Sequence, residues 1–479
     1  MLFNSIQFLV FFSIVTAAYF AFPHRWRWAL LIGASCYFYM VLVPEYILIL
    51  FFLVLVDYAA GIFIERSQGR MRRALLILSL IANIGTLAIF KYYNFFNTNL
   101  NQVADLFGWH NSLGALSLVL PIGLSFHTFQ SMSYTIEVYR GRYRAERHLG
   151  KYALYVLFYP QMVAGPIERP QNLLTQLHGE QAFDYQRVAD GLKLMVWGFI
   201  KKVVVADRLA ILVNTVYDRP TEYTGLPLIL ATYFFAFQIY CDFSGYSDIA
   251  IGAAKVMGIR LMTNFEHPYS AQSIGEFWKR WHISLSSWFR DYLYIPLGGK
   301  KVPIRRWYFN IFLVFLVSGL WHGANWTFII WGGLHGAYYI CSVLTQRLRE
   351  RWTRAFDLAR RPGVQKAVRI LITFHLVTFS WIFFRARSLD DAWYIITHAI
   401  SPTPFARLAG LGLDRYDLGV AFVSIAMLEC VQFLQRRQPI MQRLDAQPEW
   451  MRWALYGSAV AVILLFGKFV SLDFIYFQF

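Results

Sequence analysis

The chain is 479 residues long, 57% hydrophobic and only 15% charged, with a formal net charge of +17. A soluble domain carries about a quarter charged residues, so a water-soluble globular fold is excluded. The apolar excess lies in long runs near the roughly 20 residues that cross a bilayer as a helix, and lipid leaves no other way to satisfy the backbone of such runs. The short alternating segments of a membrane β-barrel are absent. The Lys and Arg residues gather between the apolar runs, as the positive-inside rule expects. That placement accounts for the charge without nucleic acid as a partner.

In chain order the runs are Ile6–Phe22, Trp28–Val43, Tyr46–Ile64, Ala74–Phe90, Leu113–Val138, Tyr152–Ile167 and Leu192–Tyr217. They continue with Leu226–Tyr246, Trp307–Leu320, Thr327–Leu344, Ile370–Phe384, Leu418–Leu434 and Trp453–Val470. The fold expected is an all-α membrane protein. It would be a single polytopic bundle over residues 1–479, with roughly 11 transmembrane helices plus re-entrant and interfacial helices. No cationic region precedes Ile6–Phe22, so it reads as a retained first span with its start outside. The basic clusters Arg25–Arg27, Glu65–Arg73, Arg140–Lys151, Lys300–Arg306 and Arg347–Arg369 are expected in the cytoplasm. Asn97–Ser112 and Asn214–Pro227, poor in Lys and Arg, are expected on the other side. Cys36, Cys241, Cys341 and Cys430 lack any paired spacing and read as small buried hydrophobes rather than metal ligands or disulfides.

Ionisable residues inside apolar runs each need a reason. Lys193, Lys201 and Lys202 interrupt one run, and the expectation is an interfacial helix with its Lys side chains snorkelling outward. Asp242 and Asp248 close the next, with Ser244, Tyr246 and Ser247 between them. They suit either a buried polar network or a polar channel, and Gly245 would permit a bend or a close helix contact. The stretch 274–301 mixes Trp278, Trp281 and several Tyr residues with Lys279, Arg280, Arg290, Lys300 and Lys301. Such a mixture belongs at a cytoplasmic membrane surface and also suits a phosphate-bearing ligand. His322 follows a wholly apolar stretch and is flanked by Gly319 and Gly323, which would leave room for a ligand. Imidazole can take and return a proton near neutral pH, although a lone histidine in such a place is often only a hydrogen-bonded core residue. His335 reads as structural. No phosphate-binding loop, dinucleotide fingerprint, serine elbow or HExxH pattern occurs.

Several ordered motifs together carry a resemblance. They are Phe129–Tyr134, Pro160–Arg169, Tyr240–Gly252, Glu276–Ser286, Ser318–Gly323 and the aromatic ending Phe474–Phe479. Through them the chain resembles the membrane-bound O-acyltransferase superfamily, and within it the alginate O-acetylation branch. The resemblance implies a helix bundle around a central tunnel, with the main motifs in 240–345. His322 would be catalytic and His282 a second functional residue. It also implies acetyl-CoA as donor substrate, with no permanently bound cofactor and no metal, and Trp278, Lys279, Trp281, Arg280 and Arg290 as candidate CoA contacts. The location implied is the bacterial inner membrane. The final acceptor would be an extracytoplasmic polysaccharide, reached through a periplasmic acetyltransferase partner. Tyr476 is a candidate acyl carrier, because a tyrosine needs a base to act as nucleophile and His322 could supply one. Direct acylation of a lipid or lipid-linked sugar is the alternative enzyme. A transporter or flippase is the alternative from another class, though the internal repeats many transporters show are not evident.

Overall fold

The computed structural model describes residues 1–41, 43–109, 113–357, 360–402, 411–436, 440–469 and 474–475, and is helical without a strand among them. The helix starts obey local chemistry. Ser5, Ser273, Ser388 and Asp414 each accept a hydrogen bond from a backbone N–H in the first turn of the helix that follows, which satisfies a donor that would otherwise be orphaned. Pro303 and Pro448 open two others, where the missing N–H costs nothing.

The chain divides into two compact units, residues 1–195 with 247–262 and residues 196–246 with 263–479. The first holds α1 (Ile6–Ala21), α2 (His24–Met40), α3 (Ile47–Arg66), α4 (Gly69–Leu87), α5 (Tyr93–Leu106), α6 (Leu124–Tyr139), α7 (Leu149–Leu157) and α8 (Leu173–Gln176). Two helices, α9 (Tyr185–Phe199) and α11 (Leu226–Val256), contribute residues to both units. The second unit adds α10 (Asp207–Tyr217), α12 (Ile274–Arg280), α13 (Ile283–Phe289), α14 (Ile304–His322), α15 (Trp326–Leu344) and α16 (Gln346–Ala355). It ends with α17 (Pro362–Arg385), α18 (Leu389–His398), α19 (Arg415–Gln435), α20 (Ile440–Asp445) and α21 (Glu449–Phe466).

Among the described residues seven helical segments are long and apolar enough to cross a membrane, and α1 is a shorter apolar helix. The protein is therefore a multi-pass membrane protein, with seven such spans among those residues against the roughly 11 expected. Some apolar runs are interrupted. The run at Tyr152 leaves the helix after Leu157, and its following turns are buried in protein. Such non-helical backbone is tolerated at depth because protein groups pair it. In the first unit α3, α4 and α6 close around Asp57, a fully buried carboxylate. It accepts from Ser79 Oγ at 2.6 Å and from Asn83 Nδ2 at 2.8 and 3.0 Å.

Three expectations change in the second unit. Lys201 and Lys202 do not snorkel outward; they are 4% and 6% exposed. The backbone over Ile200–Ala206 is a π-helix, whose extra residue per turn rotates both lysines inward. There Lys201 Nζ donates to Ser244 Oγ at 3.0 Å. Lys202 Nζ bridges Asp207 at 2.8 Å and Asp242 at 2.7 Å. Asp242 and Asp248 do not end a helix, because α11 continues to Val256. Gly245 does make the close contact foreseen: a Cβ there would fall 2.8 Å from the Gly198 carbonyl oxygen. Finally, of the cysteines only Cys241 is fully buried; Cys36 is half-buried, while Cys341 and Cys430 lie on the exterior, where a small apolar side chain is equally at home against lipid.

Removing Lys202 would leave two buried carboxylates facing one another. Lys202→Met is expected to destabilise the protein by about 3–5 kcal/mol, measured as a fall in the thermal unfolding midpoint of detergent-purified protein. Adding Asp207→Asn and Asp242→Asn to that variant should recover most of the loss.

Candidate active site

The site is built on the hairpin of α14 and α15. Gly323 leaves α14 in an extended conformation, and the Asn325 side chain starts α15 by accepting from the Thr327 N–H at 3.0 Å. Between them the helices touch backbone to backbone. A Cβ on Gly319 would lie 2.3 Å from the Phe328 carbonyl oxygen, and one on Gly332 would lie 2.3 Å from that of Phe315. Small residues are what allow such an approach in a membrane bundle. Gly319 and Gly323 therefore serve helix packing rather than ligand access, since a Cβ on Gly323 would meet the Phe328 ring at 2.1 Å. This corrects the role expected from sequence.

The close crossing sets the walls around His322, which is 3% exposed at the last position of α14. Its ring meets Trp321 at 4.9 Å between centroids, Trp331 at 5.0 Å and nearly perpendicular, and Phe384 of α17 at 5.4 Å. Trp331 and Trp381 stack on each other at 5.8 Å. The imidazole therefore sits in an aromatic, water-poor chamber. There a proton transfer or a developing charge is unscreened by solvent.

His282 is fully buried between α12 and α13. It takes the left-handed backbone conformation, with φ of 45°, uncommon for a side chain other than Gly or Asn. Asn264 Oδ1 accepts from the Ser284 N–H at 3.3 Å and Ser284 Oγ at 2.7 Å. Because a backbone N–H can only donate, that atom is the amide oxygen, and His282 Nδ1, 3.3 Å away, must be the protonated nitrogen facing it. Nε2 is thereby left as the basic nitrogen of the ring. Burial pushes the His282 imidazole down to about 3, so it is neutral at any physiological pH. Its ring meets Phe243 at 4.7 Å and Trp321 at 6.4 Å. Trp321 thus touches both histidines.

The aromatic path continues to the end of the described chain. Phe243 also meets Phe474 at 5.8 Å, and Phe474 lies 4.6 Å from Tyr246. The next N–H, of Ile475, donates to Asp242 Oδ2 at 2.9 Å. Tyr476 lies outside the described residues.

The stretch expected to form a CoA surface is divided. Trp281 is core, 1% exposed and packed on Phe265, Phe277 and Trp381. Trp278 gives its indole N–H to His335 Nδ1 at 3.2 Å. Ser380 Oγ donates to the Val377 carbonyl at 2.7 Å and so accepts from His335 Nε2 at 2.9 Å. With both ring nitrogens engaged, His335 fastens α12, α15 and α17 together. Lys279 and Arg290 are exposed. Arg280 is held by Glu276 at 2.7 Å and Ser270 Oγ at 2.8 Å, and Arg290 by Asp291 at 2.8 Å. No cluster of three or more His, Cys, Asp or Glu suited to a metal occurs among the described residues.

Sequence reasoning missed Asn264, whose role depends on backbone turns 18 residues away. It also missed a cleft of about 460 Å³ beside the chamber. That cleft is lined by Asn214, Asp218, Asn325, Phe328, Arg385 and Arg387. Asp218 takes both guanidinium groups, at 3.3 and 2.9 Å, while Phe328 and Phe384 meet at 5.0 Å in the wall between cleft and His322. The Arg-Ala-Arg sequence after Phe384 was the available signal, two cations closing an apolar run.

The fold and this chamber define a multi-pass helical membrane protein with a histidine-centred interior. The chain belongs to the membrane-bound O-acyltransferase family, whose model matches residues 143–384 and so includes both histidines. It is accordingly an acyltransferase. It is 37% identical to the Pseudomonas aeruginosa protein named "Probable alginate O-acetylase AlgI", over 92% of this chain and 84% of that one. It is 36% identical to the peptidoglycan O-acetyltransferase of Helicobacter pylori, over 78% and 73%. A more distant relative is the teichoic acid D-alanyltransferase of Bacillus subtilis, 28% identical over 57% and 70%.

Because Gly319 sets the depth of His322, Gly319→Val should cost about 1–3 kcal/mol by overpacking and reduce acyl transfer in the protein that still folds. Gly85→Ala, at a glycine with open space around it, should change neither unfolding temperature nor activity.

Proposed function

We propose that this protein takes the acetyl group of acetyl-CoA on the cytoplasmic side of the bacterial inner membrane and delivers it for O-acetylation of an extracytoplasmic polysaccharide, an alginate-like exopolysaccharide. The observation that carries the reading is His322, buried at the end of α14 among Trp321, Trp331 and Phe384. Family membership and the names of the relatives support the chemistry.

His322 acts as general base. It removes the proton of an attacking hydroxyl, the oxygen attacks the thioester carbonyl, and the tetrahedral adduct collapses with loss of the CoA thiolate, which takes the proton back. A base of this kind contributes about 10²–10⁴-fold in rate. His282 is a positioning residue. Its orientation, fixed through Asn264, sets the Trp321 ring that it shares with His322. Lys279, Arg280 and Arg290 meet the CoA phosphates as guanidinium and ammonium donors.

The hydroxyl that first takes the acetyl group is that of Tyr476, and a periplasmic acetyltransferase then moves it to the polymer. What supports this is the anchoring of the two residues before it, Phe474 against Phe243 and the Ile475 N–H on Asp242. Phe474 and His282 thereby meet the same Phe243 ring. A polymer is too large for the chamber, so a carrier must bring the acetyl group out.

Three substitutions test the reading. His322→Gln should abolish polymer acetylation in cells with normal levels of inserted protein, and near-normal acetylation would rule out the base. Tyr476→Phe keeps the aromatic body and removes only the hydroxyl. It should eliminate acetylation if the tyrosine carries the group, and be silent if the tail is only an anchor. Arg280→Gln with Arg290→Gln should raise KM for acetyl-CoA while leaving kcat nearly unchanged, the signature of contacts made equally in ground and transition states.

A further inference from the structure

We propose that the first unit carries a binding pocket for the phosphate of an anionic phospholipid, at the start of α2. The observation is a cavity of about 310 Å³ with a cationic rim and an apolar wall. Arg25, Arg27 and Lys151 form the rim, joined by His24 and His148, and no carboxylate lines it among the described residues. Glu146 stands behind the ring of His178, which is 2.7 Å from that carboxylate and 2.9 Å from Lys151 Nζ. The pocket therefore keeps a net positive charge where the apolar helix α1 gives way to α2.

Its arginines are unequal. Arg27 is preorganised: Nη1 donates to the Gln181 carbonyl at 2.6 Å, Nε to that of Phe22 at 3.0 Å, and the guanidinium lies 4.8 Å over the Tyr19 ring. Arg25 is exposed at the mouth. The first turn of α2 has no side-chain cap, and although the Trp26 N–H donates to the Pro23 carbonyl at 2.9 Å, the positive end of the helix dipole adds to the potential there. A phosphate is the anion such a fork of donors fits.

The wall selects the kind of phosphate. Leu31, Leu154 and Ile259 close its floor at 1–2% exposure, Tyr19 and Trp28 flank it, and Phe22 and Trp26 stand exposed beside Arg25 and Arg27. A free phosphate gains nothing from those exposed rings. A phospholipid places its headgroup at the cationic rim and lays the start of its acyl chains against them, the arrangement expected where basic pockets between membrane helices take anionic lipids. No feature of the acyl-transfer chemistry requires this pocket, and the proposal does not depend on that reading.

The test uses the purified full-length protein, exchanged into nanodiscs of phosphatidylcholine with or without phosphatidylglycerol, with retained lipid counted by native mass spectrometry. Phosphatidylglycerol should be retained at least about tenfold over phosphatidylcholine, and salt should weaken the preference. Arg25→Gln with Lys151→Gln should remove the preference, whereas Arg25→Lys should keep most of it. Equal retention of the two lipids by the wild-type protein would overturn the proposal, and that comparison stands even if the double variant folds poorly. Displacement of phosphatidylglycerol by CoA, with a raised KM for acetyl-CoA in the double variant, would assign the pocket to the donor instead and equally overturn it.

Discussion

One buried ammonium group ties together the polar elements at the start of the second unit. Lys202 sits between Asp207 and Asp242 with almost no access to solvent, and it has to be charged for either carboxylate to be tolerated there. Through it α10 and α11 are held at a fixed spacing. Asp242 then has its second oxygen free to accept the Ile475 N–H. A parallel set of charges holds the segment just before, where Arg208 and Lys468 share Asp417 and the Lys468 N–H donates to the Val203 carbonyl. Lys468 and Ile475 are thus held by ionic and backbone bonds as well as by apolar packing.

In the same unit His322 is enclosed by rings. His322 has aromatic neighbours on three sides, and aromatic walls do two things at once. They exclude water, and they present hydrogens at ring edges and π-density at faces, the indoles of Trp321 and Trp331 each carrying one N–H donor as well. Two further histidines lie nearby in role but not in state. His335 has both nitrogens engaged in holding three helices. His282 has its tautomer set by the hydrogen bond between Nδ1 and Asn264. Within one unit, then, the hydrogen-bond partners fix the state of each histidine.

The relatives place these features in a broader setting. Their names speak of acetylation of alginate, acetylation of peptidoglycan and alanylation of teichoic acid. What the second unit of this chain holds is a histidine walled by rings and, beside it, a charged cleft lined by Arg385, Arg387 and Asp218.

The sequence by itself determined that the chain is helical and lies in a membrane, because apolar runs of spanning length leave the backbone no other solution. It also singled out His322, an imidazole closing an apolar run, and the family resemblance of the motifs around it. What it left undecided was direction. Lys201 and Lys202 read as outward-facing, since a lysine in an apolar helix ordinarily reaches for water. Only the π-helical turn and the acids of neighbouring helices brought them inside. Gly319 and Gly323 read as space for a ligand, yet that space is taken by the facing helix. Trp281 read as interfacial and proved to be core. Asn264 was invisible, because a carboxamide has no meaning until a turn elsewhere places Ser284 and His282 around its oxygen. Composition and period act through local propensity and transfer energy, which a linear chain already carries. Partner choice for a buried polar group depends on which helices meet and at what rotation, and that is decided only when they pack.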